Sequence, residues 1–80
     1  MCYFIIMKEE EFLRKLGLRI RTLRDARKMT LYDLEDATGI DFSDISKLEL
    51  GYKNSRVYTL YKISNAFGIT VSELLDFNGD

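Results

Sequence analysis

The sequence predicts an all-α domain of five short helices, the second and third joined by a tight turn. Three observations carry this reading. Apolar residues recur at spacings of three and four after residue 8, the period of a helix with one buried face. Helix start and stop residues bracket the apolar runs. No segment after residue 8 alternates apolar and polar as a half-buried strand would.

The first helix is expected from near Glu9 to Arg27, with Leu13, Leu16, Ile20 and Leu23 on its buried face. Glu9, Glu10 and Glu11 suit the positive end of the helix dipole, and Arg24, Arg27 and Lys28 the negative end. Gly17 sits inside this helix at a cost of about 1 kcal/mol against alanine, and is expected to mark a close helix contact. The second helix starts after Thr30, which has a capping-box spacing with Asp33, and stops at Gly39. Asp41 is the natural N-cap of the third helix and Gly51 its stop. Leu34, Ala37, Ile40, Ile45 and Leu48 mark the faces on which these two helices pack. Residues Tyr52 to Ser55 read as a loop. Ser55 is expected to cap a fourth helix that buries Val57, Leu60, Ile63 and Phe67 and stops at Gly68. Thr70 and Glu73 form a capping box for a fifth helix with Val71, Leu74 and Leu75 apolar.

Eighty residues make one small domain, and 46% hydrophobic residues suffice for a core but leave little room for a deep cleft. The 12 basic and 13 acidic residues give a net charge of −1, so any electrostatic steering has to come from local clustering. With no histidine and one cysteine, Cys2, neither a disulfide within the monomer nor a His/Cys metal site is expected. A cytoplasmic location is the plain reading. Residues 1–8 read as an N-terminal extension. It is a disordered segment, a run upstream of a start at Met7, or a strand that pairs with a partner chain. Its apolar stretch Cys2–Met7 is too short to be a signal-peptide core or to span a bilayer. Residues 9–78 make up the folded domain.

Two short helices with a turn at Gly39 have the layout of a helix-turn-helix, whose second helix offers its outer face to the DNA major groove. The ordered residues Leu16–Arg24, Met29-Thr30, Leu34, Ala37, Gly39-Ile40, Ile45–Glu49, Gly51, Asn54–Val57, Thr59-Leu60 and Phe67–Leu75 resemble the phage-repressor-like helix-turn-helix domains of Cro/C1, or xenobiotic-response-element, type. The resemblance covers roughly residues 12–77. It implies a five-helix lambda-repressor-like bundle and a DNA-binding transcription factor that acts as a homodimer on a palindromic operator.

Carried over by position, the resemblance gives base contacts to Phe42, Ser43, Ser46 and Lys47, on the side opposite Ile45 and Leu48. It gives backbone phosphate contacts to Thr30, Lys53, Asn54, Ser55 and Arg56, with Arg27, Lys28 and Tyr52 flanking them. Arg24 and Glu49 occupy positions that pair across the domain in this family. Tyr58, Tyr61, Ile69 and Phe77 supply more apolar area than a small core needs and are the expected dimer surface. The pattern departs from the family at Leu31, where glutamine is common. Between Thr30 and Gly51 six acidic side chains face one basic one, a net charge of −5.

Double-stranded DNA and a second copy are therefore the expected partners, with no cofactor, no metal, no membrane and no small-molecule substrate. The acidic helix pair and Leu31 motivate an alternative, a protein-interaction module of the same fold such as an antitoxin-like partner or adaptor. No nucleophile–base pair or glycine-rich phosphate loop suggests an enzyme.

Overall fold

Three glutamates open the helix α1 (Glu9–Ala26) and Arg24 lies in its last turn, so its charges oppose the helix dipole at both ends. The computed structural model describes residues 8–77. The expectations for residues 1–7 and for the end of the domain at residue 78 lie outside that range. The remaining helices are α2 (Leu31–Thr38), α3 (Phe42–Glu49), α4 (Val57–Phe67) and α5 (Val71–Leu74), and no strand occurs among the described residues.

α1 packs on α3, α2 packs on both α3 and α4, and α5 closes against α4. Leu16, Ile20, Leu34, Ile45, Leu48, Leu60, Ile63, Phe67, Leu74 and Phe77 form the core between them. Each such side chain contributes roughly 1.5–3 kcal/mol over leaving it in water. Three details of the expected packing change. Ala37 is exposed and Thr38 is buried in its place. The threonine satisfies its hydroxyl internally by donating to the Leu34 carbonyl at 2.7 Å, while its oxygen accepts from the Ile40 N–H at 3.1 Å. Val57 is 73% exposed rather than buried, because it begins α4 on the solvent side. Ser55 does not cap α4. Arg56 occupies that position, without a side-chain hydrogen bond.

The other caps follow the sequence. Thr30 and Asp33 exchange both hydrogen bonds of a capping box, at 3.0 and 2.9 Å. Asp41 accepts from the Ser43 N–H at the start of α3. Gly39, with φ of 76°, ends α2 in the left-handed conformation that a side chain resists. Thr70 and Glu73 form the second box.

In that second box the Glu73 carboxylate accepts from the Thr70 N–H and hydroxyl, at 3.0 and 3.2 Å. The backbone bond, then the hydroxyl bond, hold its pKa below the ordinary value of 4.5. A depressed carboxylate contributes stability above its unfolded pKa and loses it as pH falls through the folded one. The α5 cap is therefore expected to persist at pH 4.5 and weaken only under stronger acid. The Thr70 amide resonance reports this directly, and a midpoint at or above 4.5 would contradict it.

Candidate nucleic-acid interface

α3 is an amphipathic rod eight residues long. Ile45 is fully buried and Leu48 nearly so, which fixes the rod's orientation on α1 and α2. On its other side Phe42 and Lys47 are exposed and Ser43 and Ser46 are half-exposed, so the expected reading residues share one accessible face. Ser43 Oγ donates to the Asp41 carboxylate at 3.1 Å, an exposed contact that a base edge can exchange for its own. The Phe42 ring lies against Tyr32 of α2, with centroids 4.9 Å apart. This pairing was not foreseen, since Tyr32 and Phe42 are ten positions apart and only the turn at Gly39 brings them together.

Two backbone constraints hold α3 in place. The first is Gly17 of α1. A Cβ there would overlap the carbonyl oxygens of Leu48 and Glu49 and lie 2.7 Å from the Glu49 carbonyl carbon. The close contact expected at this glycine is thus the passage of α1 over the end of α3. The second is the pair of Arg24 and Glu49. Arg24 Nε and Nη2 donate to the two carboxylate oxygens at 2.7 and 3.1 Å, a bidentate fork. Its Nη1 donates to the Met29 carbonyl at 2.8 Å, one residue before the α2 cap. The two side chains are 12% and 6% exposed. The hydrogen bonding to the Glu49 carboxylate raises the arginine's pKa against the opposing effect of burial, so Arg24 stays charged.

The flanking residues divide into two groups. Thr30 is exposed at the start of α2; its oxygen is used as an acceptor in the cap, which leaves its hydroxyl proton free to donate. Tyr52, Asn54 and Arg56 are exposed, and Lys53 and Ser55 half-exposed, in the segment joining α3 to α4. Lys53 Nζ lies 3.3 Å from Asp44 and Asn54 donates to Glu9 at 3.1 Å, so this segment is tied to both α3 and α1. An open groove of about 320 Å³ runs between the turn at Gly39 and this segment, and it also draws in Thr59 and Lys62 of α4. Sequence reasoning did not single out these two. The α4 period, placing them one and two turns beyond Ser55, was the available signal.

Arg27 stands apart from that groove. Its guanidinium lies 5.2 Å over the Phe67 ring and donates to the Phe67 and Leu23 carbonyls at 3.0 and 3.1 Å. Phe67 is the last residue of α4 while Arg56 precedes its first, a separation of about 16 Å along the axis. Arg27 thus clamps α1 to α4. Lys28 is exposed in the turn after α1, with a φ of 55°.

Of the expected dimer residues, Phe77 is corrected. It is 5% exposed and packs its ring 5.5 Å from that of Phe12 in α1, so its area is spent on the monomer's own core. Ile69 is half-buried against the core. Tyr58 and Tyr61 are 67% and 49% exposed and stack on each other with centroids 6.1 Å apart. No group of metal-ligating side chains occurs among the described residues, and no helix there is long and apolar enough to cross a membrane.

A short rod seated by Ile45 and Leu48, preceded by a capped helix and a left-handed glycine turn, defines a helix-turn-helix domain. The helix-turn-helix family profile HTH_3 matches residues 20–74, and the chain belongs to this family, of Cro/C1 type. It is 39% identical over 69 residues to the HTH-type transcriptional regulator DdrOP3 of Deinococcus deserti, covering 82% of this chain and 54% of that one. The chain thus spans about half the length of that relative. Among solved structures it is similar to the restriction-modification controller protein C.AhdI of Aeromonas hydrophila, with a TM-score of 0.76, 32% identity and coverage of 78% of this chain and 94% of that one. It is also similar to the clp gene regulator ClgR of C. glutamicum, with a TM-score of 0.77, 28% identity and coverage of 80% and 82%.

Proposed function

We propose that this chain is the DNA-binding part of a transcriptional regulator that reads a palindromic operator as a homodimer. The observation that carries the proposal is the accessible row Phe42, Ser43, Ser46 and Lys47 on a rod whose opposite side is buried. Set in a major groove, the serines can exchange hydrogen bonds with base edges and Lys47 can reach guanine acceptors. Thr30, Tyr52, Lys53, Asn54, Ser55 and Arg56 are exposed or half-exposed and suit phosphates, which fix register without reading sequence. Lys28, exposed after α1, is assigned the same role. The named regulators to which the chain is similar support this reading.

The second copy is placed on the exposed stacked pair Tyr58 and Tyr61, with Val57 beside them and Ile69 at the margin. Two such copies would set their α3 helices about 34 Å apart, one turn of DNA.

Selection of bound fragments from random duplex DNA tests the reading. A palindromic consensus with one half-site per α3 is the expected result, and no enrichment at low salt would favour an interaction module instead. On the selected duplex, Lys47→Ala is expected to relax one base preference at a cost of about 1–3 kcal/mol. Arg56→Ala is expected to weaken all sequences alike and to reduce the salt slope by about one. Matching behaviour of the two variants would end this division of labour.

A further inference from the structure

We propose that Tyr32 is a positioning residue which, with Phe42, makes an aromatic platform that reads the C5-methyl group of thymine. The inference rests on the proposed entry of α3 into the major groove and names what its first residue recognises there.

Phe42 has no polar atom in its side chain, so against a base edge it can act only through apolar contact. In the major groove the one apolar group on a natural base edge is the thymine methyl. A phenyl ring at the first position of a helix is ordinarily free to swing into solvent, and ordering it on binding would consume much of the gain from one methyl. Here the ring is covered on one face and the backbone that carries it is tied down. The Tyr32 ring covers it at 4.9 Å with a 40° tilt, a favourable aromatic geometry. The Phe42 backbone N–H donates to the Glu35 carboxylate at 3.3 Å, which ties the start of α3 to α2. Both rings nevertheless stay open to solvent, Tyr32 at 61% and Phe42 at 39%. Exposed aromatic area that a core does not use, fixed beside the reading face, is the arrangement an apolar contact needs. Neither acid flanking the platform, Glu35 or Asp36, favours a phosphate there, so the platform is placed over bases and not over the backbone.

The test exchanges single thymines of the selected duplex for deoxyuridine, which removes only the methyl. The protein is expected to lose about fourfold in affinity at one thymine in each half-site, the effect of burying one methyl-sized group. Tyr32→Ala is expected to reduce that contrast to less than about twofold and to leave the salt dependence of binding unchanged. Tyr32→Phe is expected to keep the full contrast, since it keeps the ring. Tyr32 lies on the surface, so the helical circular dichroism of both variants serves as the control for folding. Equal affinity for the thymine and uracil duplexes at every position would overturn the proposal while leaving the regulator reading intact. Full contrast in Tyr32→Ala, or its loss in Tyr32→Phe, would equally overturn the role given to the ring. Failure to select any duplex would overturn both readings together.

Discussion

Gly17→Ala is expected to destabilise the domain by about 3 kcal/mol, the upper end of what forcing one extra carbon into a packed contact costs. In an exposed helix the same change would gain nearly 1 kcal/mol from better helix propensity. The balance is decided by what the new methyl meets. Its neighbours are the backbone carbonyls of Leu48 and Glu49, which cannot rotate away as a side chain would. Either α1 moves off α3 or the last turn of α3 unwinds, and both loosen the seat made by Leu48. For a domain of this size the melting temperature should fall by about 15 °C. Thermal unfolding followed by circular dichroism measures this. A melting temperature equal to that of the parent would show that the two helices do not approach so closely.

The second large effect is expected from the pair of Arg24 and Glu49. Glu49→Gln leaves a guanidinium that is 12% exposed with only the exposed Asp25 carboxylate, 3.6 Å away, as counter-charge, at an expected cost of about 3 kcal/mol. Arg24→Met removes the charge and also the donor to the Met29 carbonyl, so it too is costly. The informative variant is the double one, Arg24→Met with Glu49→Leu. It removes both ions together and fills the space with apolar atoms, and should lose well under the sum of the single losses. Denaturant unfolding of the parent, Arg24→Met, Glu49→Leu and the double variant completes the cycle. Additivity within about 0.5 kcal/mol would mean that the two side chains act independently. The pair also joins the end of α1, the residue before the α2 cap and the last turn of α3. Its loss should therefore impair DNA reading beyond what the remaining folded fraction explains.

Much of this architecture is legible in the residues because the signals are local. Thr30 with Asp33, Asp41, Gly39, Gly68 and Thr70 with Glu73 each act on backbone groups within a few positions, and each does what its spacing predicts. The departures arise where a distant partner decides. Phe77 looked free until the ring of Phe12 came beside it from the other end of the chain. Arg27 remains exposed, but the Phe67 ring and carbonyl that it engages come within reach only in the fold. Ala37 gives way to Thr38 in the interior because one bond to the Leu34 carbonyl satisfies the hydroxyl there. In the candidate site the accessibility of the α3 row follows from the buried positions opposite it. The contact of the Tyr32 ring with Phe42 does not, since only the angle of the turn creates it.

The net charge of −5 between Thr30 and Gly51 bears on how such a regulator would search a genome. Attraction to the phosphate chain is what holds most regulators to irrelevant sequence, and with α3 docked as proposed that attraction would be weakened. Time spent on the wrong sites would shorten, and travel by repeated release and recapture would replace long sliding. Fewer molecules would then be sequestered by the bulk of the chromosome, so a small cellular pool would suffice to occupy the few sites where the base edges match.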